Sequence, residues 1–174
     1  VLPNSVKSIG TLAFSGCSSL TSIVIPDNVT SIGGQAFGDC TSLTSIVIPS
    51  GVTCIEDWTF EGCSSLVSVT ISENVTSIGM YAFDGCTSLT SIDIPNGVPS
   101  IGESTFMDCH SMTSVVIPES VTSIGLWAFY RCNNLTSITF EGTVEQWNAI
   151  TKDFEWNGSP ATEVICSNGA VSLV

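Results

Sequence analysis

The sequence predicts a repeat solenoid with a parallel β-sheet along one face, and two observations carry that expectation. First, six Phe-x-x-Cys pairs recur at an unbroken spacing of 23 residues: Phe14/Cys17, Phe37/Cys40, Phe60/Cys63, Phe83/Cys86, Phe106/Cys109 and Phe129/Cys132. A fixed repeat of this length means that each unit is a short coil unable to bury its own apolar side, stable only when stacked on neighbours. Second, the apolar positions keep their columns. In the second full coil these are Val29, Ile32, Ala36, Phe37, Cys40, Leu43, Ile46 and Ile48, and nearly every one has an apolar counterpart one repeat on. These columns are the expected core.

Within a coil, Leu43-Thr44-Ser45-Ile46-Val47-Ile48 is β-branched and alternating, which predicts a half-buried strand with Ile inward and Val outward. Successive coils are expected to pair these strands side by side. Pro49-Ser50-Gly51-Val52 is a turn, whose slot elsewhere holds Asp27-Asn28, Glu73-Asn74, Asn96-Gly97 and Glu119-Ser120, residues suited to positive φ. Val-Thr-Ser-Ile-Gly, as at 75–79, predicts a short second strand closed by glycine. From Ala82 and Phe83 to Cys86 and Leu89 the spacing shifts to that of one helical or 3-10 turn. Pro99 replaces the Thr of this short strand and brings no amide hydrogen, so its column is expected to pair poorly.

The string Leu-Thr-Ser-Ile-x-Ile-Pro-x-x-Val-Thr-Ser-Ile-Gly-x-x-Ala-Phe-x-x-Cys resembles the repeat of the BspA-like, treponemal-type leucine-rich-repeat surface proteins, over roughly residues 1 to 148. The resemblance implies a secreted or surface-anchored bacterial protein that adheres to matrix proteins, host cells or other microbes. It makes the expected fold a leucine-rich-repeat solenoid over 1–142, about six coils with the first incomplete. A small non-repeating α+β cap over 143–174 follows. Across that boundary Phe140, Val144 and Trp147 keep the register of Ile117, Val121 and Ile124, whereas Lys152 and Glu155 fall in the Phe and Cys columns, so the repeat is expected to stop. Thr143 is the expected N-cap of a short helix. Glu163 to Cys166 and Ala170 to Val174 are expected strands about a Ser167-Asn168-Gly169 turn.

Composition excludes several function classes. Sixteen carboxylates against Lys7, Arg131 and Lys152 give a formal charge of −13, so nucleic acid is a poor partner: phosphate binding needs clustered cations. No run approaches the ~18 apolar residues that span a bilayer. Leu2, Pro3, Val6 and Ile9 align with Ile25, Pro26, Val29 and Ile32, so the chain enters halfway round a coil and is expected to be a monomeric piece of a longer protein. Six of the eight cysteines share one core column and are expected to be buried, reduced thiols; Cys54, in a Ser position, and Cys166 are the expected reactive ones. His110 is the single histidine and no Cys-x-x-Cys occurs, which argues against zinc and against Ser-His-Asp or Cys-His catalysis. No catalytic, cofactor or metal residues are assigned. Glu61 and Asp84 form a weak candidate for an acid/base pair, and Glu56, Asp57, Glu61 and Asp84 for a bridging cation; a solvated acidic face is the default.

Two surfaces remain for binding. One is the aromatic column Trp58, Tyr81 and Trp127, just before the Ala-Phe position, which either seals the solenoid edge or contacts a partner. The other is the outward side of the sheet, represented by Thr90, Ser91 and Asp93. The expected function is non-enzymatic adhesion or protein binding at the cell surface. A structural spacer of a larger surface protein and a glycan-binding accessory module are the alternatives.

Overall fold

A computed structural model describes residues 2–173. The chain is a β-solenoid of stacked coils. In chain order its strands are β1 (Ser8–Ile9), β2 (Ser31–Ile32), β3 (Ser45–Val47), β4 (Cys54–Ile55), β5 (Ser68–Thr70), β6 (Ser77–Ile78), β7 (Ser100–Ile101), β8 (Ser114–Ile117), β9 (Ser123–Ile124) and β10 (Ser137–Phe140). Helix α1 (Val144–Ala149) follows, then β11 (Thr151–Lys152), β12 (Glu163–Cys166) and β13 (Gly169–Ser172).

The main face pairs β3 with β5 and, further along, β8, β10 and β12 in parallel, with β13 antiparallel at the edge. Ile46, Ile48, Val115, Ile117 and Ile138 point inward and are buried, while Val24, Val47 and Val116 point outward. The sheet is not continuous, as the repeat alone suggested. In the fourth repeat, residues 90–94 form no strand, and a single bridge ties Asp93 to Val116.

The short strands form three separate groups, β1 with β2, β4 with β6, and β7 with β9 and β11. One break falls between β6 and β7, at Pro99, which accepts from Thr122 N at 2.8 Å but has no amide to offer the preceding coil. Another falls between β2 and β4 without a proline. The closing glycine is required by close approach: a Cβ on Gly79 would lie 2.5 Å from Asp57 N.

Two local expectations are corrected. The arc carrying Ala, Phe and Cys is not a helical or 3-10 turn but a succession of reverse turns. Ala36 N donates to Gly33 O and Cys63 N to Phe60 O, and the third residue of each turn has positive φ, as in Gln35 (54°) and Gly62 (68°). The i, i+1, i+4 apolar spacing is the same in both conformations, so the pattern could not separate them. In the strand turns, by contrast, Asn28, Asn74 and Gly51 do not have positive φ. The asparagines serve there as donors across coils, Asn28 Nδ2 to Asn4 O and Asn74 Nδ2 to Ser50 O. Gly51 is needed because a Cβ would meet Val29 O at 2.7 Å.

The core is one column set from end to end. Phe14, Phe37, Phe60, Phe83, Phe106 and Phe129 stack with ring centroids 5.3 to 5.6 Å apart and nearly parallel planes. All eight cysteines are free. Each buried thiol of the column is also a hydrogen-bond donor: Cys63 Sγ reaches Phe37 O at 3.1 Å, Cys86 Phe60 O at 3.2 Å and Cys132 Phe106 O at 3.1 Å. The column thus gives the Phe carbonyls of the coil behind it a second donor besides the turn amide, which an alanine or valine would not do. Burial pushes the Cys63 and Cys132 thiols up to about 12 and Cys40 to about 11.

Two thiols differ from expectation. Cys17 is exposed, since among the described residues only the Cys40 side of its column is covered, and Cys166 is buried on the inner side of β12. Thiol titration of the native protein is therefore expected to detect Cys17 rapidly and half-buried Cys54 slowly, with all eight appearing after unfolding without reductant. A mass showing internal disulfides would contradict this arrangement.

The last coil is longer than the repeat. Helix α1 begins at Thr143, whose Oγ1 accepts from Gln146 N while Gln146 Oε1 accepts from Thr143 N. The helix displaces the register. Thr151 and Lys152 pair with Ser123 and Ile124, so Lys152 occupies the Ile column, not the Phe column, and Trp147 does not align with Ile124. Trp156 meets Phe129 edge-on at 6.2 Å, ending the parallel ring stack. β12 and β13 form a hairpin with Cys166 opposite Gly169. Val174 lies outside the described residues.

Candidate functional site

The aromatic column owes its position to the arc. Leu12, Gln35, Trp58, Tyr81, Ser104 and Trp127 all have φ between 51° and 61° at the third position of the reverse turn. This left-handed conformation costs a non-glycine residue about 1 kcal/mol, and at Leu12 and Trp58 it turns the side chain out to the surface. Ladder bonds hold it there: Trp58 N donates to Met80 O and Tyr81 N to Glu103 O, both at 3.0 Å. The sequence showed that these residues lie outside the core pattern but not that they share a strained backbone.

Trp58 and Tyr81 stack at 5.8 Å with planes 14° apart, and Trp58 and Met80 remain about two-fifths exposed. The column is not continuous to Trp127. Ser104, between Tyr81 and Trp127, is fully buried, and Trp127 leans on Tyr130 at 6.2 Å. Their polar atoms are also engaged. Tyr81 Oη donates to Glu103 Oε1 at 2.6 Å, which raises the phenol pKa, and Trp127 Nε1 donates to Glu155 Oε2 at 3.0 Å.

The outward face of the main sheet is more continuous. Val24, Val47, Thr70, Asp93, Val116 and Thr139 occupy one column, and the pairing of Thr139 with Ile165 extends it onto β12. Val24, Val47, Val116 and Ile165 are 67%, 61%, 40% and 45% exposed, so the face presents branched apolar side chains toward both ends, interrupted by Thr70, Asp93 and Thr139. Thr90, Ser91 and Asp93 are all exposed at its middle. An open depression there is lined by Glu73, Asp93, Ile94, Asn96, Val116 and Glu141. At the N-terminal end another is lined by Val24, Val47, Asp27 and their neighbours. Ile165, Glu73, Glu119 and Glu141 were missed as surface residues of interest. A signal existed for the carboxylates, since Asp27, Glu73 and Glu119 recur in one turn slot; Ile165 belongs to no repeat and carried none.

The acidic arc has a different character. Asp84 is raised to about 6 by burial and by the Asp108 and Glu61 charges, and Glu61 is raised by burial and Asp39. Stacking places these carboxylates in neighbouring coils, and the row ends in the ion pair of Asp108 with Arg131, 3.1 Å from Oδ1 to Nε. A raised carboxyl is a feature of active sites; here burial in the arc raises both groups first and the like charges of neighbouring coils add to it, away from the depressions described above. Asp57 is engaged elsewhere, accepting from Met80 N at 2.8 Å. Among the described residues no three His, Cys, Asp or Glu side chains are grouped to hold a metal ion. None of the helices described is long and apolar enough to cross a membrane.

A solenoid of 23-residue coils with a Phe-Cys ladder and a parallel sheet defines a bacterial leucine-rich-repeat protein. The BspA type Leucine rich repeat region matches in six copies over residues 1–98 and 59–151, and the chain belongs to that family. Among solved structures it is similar to the T. pallidum leucine-rich-repeat protein TpLRR, with 35% identity over 76% of this chain and 62% of that one, at a TM-score of 0.74. It also resembles a leucine-rich cell surface protein from Faecalibacterium prausnitzii, with 32% identity over 88% and 56% of the two chains and a TM-score of 0.55. A leucine-rich-repeat protein from Eubacterium ventriosum aligns over 97% of this chain and 46% of that one, at 25% identity and a TM-score of 0.77. The chain spans less than two thirds of each of these proteins. No curated protein matches it significantly.

Proposed function

We propose that the chain is a non-enzymatic protein-binding module displayed at a bacterial cell surface, and that it adheres to extracellular protein through the outward face of its main sheet. The observation that carries this reading is the exposed outward column from Val24 to Ile165, apolar at Val24, Val47, Val116 and Ile165 and polar at Thr70, Asp93 and Thr139, with Thr90 and Ser91 beside its centre. Exposed apolar side chains gathered on one face and rimmed by polar residues are a mark of binding surfaces. The likeness to a leucine-rich cell surface protein supports the location. A non-enzymatic role accords with the family, and the carboxylates with raised pKa values have a structural origin.

A second reading rests on the Trp58 and Tyr81 stack. Paired aromatics beside Met80 suit a protein or sugar surface, and aromatics are often hot spots at interfaces. The discontinuity at Ser104 and the bonds from Tyr81 and Trp127 to Glu103 and Glu155 favour edge sealing.

Binding of the purified chain to an array of immobilised extracellular-matrix proteins separates these readings. The double variant Val47→Ser, Val116→Ser is expected to weaken binding roughly tenfold or more, as loss of central interface contacts does, while Trp58→Ala, Tyr81→Ala retains it. The reverse outcome would move the site to the aromatic arc, and no binding by the native chain would leave a spacer.

A further inference from the structure

We propose that the outward sheet face takes a cationic partner, an extended protein segment rich in Lys or Arg and interspersed with apolar residues; this rests on the protein-binding reading above. The apolar column supplies the contact area, and charge selects the occupant. The strands and turns of this face carry Asp93 and Glu163 on the sheet and Asp27, Glu73, Glu119 and Glu141 along its turn edge, all exposed. No Lys, Arg or His stands among them.

Every cation of the chain lies elsewhere. Lys7 precedes the short strand β1. Arg131 is held by Asp108 in the arc, beside His110. Lys152 donates to Trp147 O at 2.6 Å and Ile150 O at 3.1 Å. Among the described residues the carboxylates of the face therefore have no Lys or Arg counter-charge. The depression between Glu73, Asp93 and Glu141, with Val116 in its wall, joins both kinds of contact in one place. Complementary charge of this kind steers encounter and excludes acidic competitors. Outward positions recur at the ~4.8 Å interval between coils, so an extended segment lying across the strands passes Val24, Val47, Asp93, Val116 and Ile165 in one column, with Asp27, Glu73 and Glu119 on alternate coils along the turn edge.

The test uses fluorescein-labelled dodecapeptides repeating Lys-Lys-Val-Val, Glu-Glu-Val-Val and Lys-Lys-Ser-Ser, so that each face of an extended chain carries both residue types, with binding to the full chain read by anisotropy at low and physiological salt. The Lys-Val peptide is expected to bind best, and the Glu-Val peptide not at all. Binding of the Lys-Val peptide should weaken with salt, as exposed charge pairs are screened. Glu73→Gln, Asp93→Asn, Glu141→Gln is expected to lower affinity roughly tenfold, a few-fold per exposed charge pair. The control Glu56→Gln, Asp153→Asn, Glu155→Gln removes as much charge away from the face and should leave affinity within about twofold. Equal losses in the two triple variants would overturn the proposal by showing attraction to net charge alone. Equal binding of the Glu-Val peptide would overturn it by showing apolar contact alone. If Val47→Ser, Val116→Ser abolishes matrix-protein binding but no cationic peptide binds, the partner class is wrong and the protein-binding reading stands. If the peptide binds the face but no matrix protein does, the reverse holds.

Discussion

Replacing Phe83 by Ala is expected to cost about 3 to 5 kcal/mol, because the large-to-small change leaves a cavity between two packed coils. Phe83 is fully buried, and its ring lies 5.4 Å from Phe60 and 5.6 Å from Phe106. In a stacked array stability is roughly a sum of coil terms and nearest-neighbour interfaces, and this ring belongs to two interfaces. Phe14 belongs to one, with Phe37 at 5.3 Å, and is itself only partly buried. Phe14→Ala is therefore expected to cost markedly less. Denaturant melts of the two variants measure the difference, and equal losses would contradict nearest-neighbour stacking. The carbonyls of Phe60 and Phe83 must remain satisfied by Cys86 and Cys109 Sγ for the comparison to report packing. Alanine keeps the backbone and so keeps those bonds.

The columns of the core were legible because a solenoid repeats each environment once per coil. Val29, Ile32, Phe37, Cys40, Leu43 and Ile46 each fill the same slot that their counterparts fill one repeat away, and all are buried. What the sequence could not show is the conformation between columns. A helical turn and two linked reverse turns place Ala82, Phe83 and Cys86 on the same side, so apolar spacing does not distinguish them. The positive φ at Tyr81 and Trp58 was concealed for a related reason: large aromatics are not residues from which left-handed backbone is inferred. The thiol column was expected to be inert packing, whereas the hydrogen bonds to Phe carbonyls depend on a register between coils that no single repeat contains. The same holds for the binding surface. Thr90, Ser91 and Asp93 could be placed outward from alternation alone, but Ile165 joins their face only through the pairing of β12 with β10.

The second large effect is expected at Trp147, where the regular repeat gives way to the lengthened coil. Trp147 is 2% exposed, the largest of the deeply buried side chains. Its ring packs against Phe140 at 5.4 Å and Trp156 at 5.7 Å, and Lys152 Nζ sits 4.4 Å from the ring centroid. Lys152 gains from this placement a cation-π contact as well as bonds to two carbonyls, while its partial burial lowers the ammonium pKa. Trp147→Ala is expected to cost about 3 to 5 kcal/mol, but the loss should be distributed unlike that of Phe83→Ala. Phe83 lies in the middle of the stack, so its replacement weakens coupling between the two ends. Trp147 supports α1, β11 and the Trp156 contact that covers Phe129, so its loss should free the last coil while the preceding ladder stays closed. Hydrogen exchange is the measurement that separates the two. In Trp147→Ala, the amides of β11, β12 and β13 should exchange faster at denaturant concentrations where those of β3 and β5 remain protected. Uniform acceleration along the chain would mean that the terminal coil and the solenoid unfold as one unit, and that the stack is more cooperative than its nearest-neighbour contacts imply.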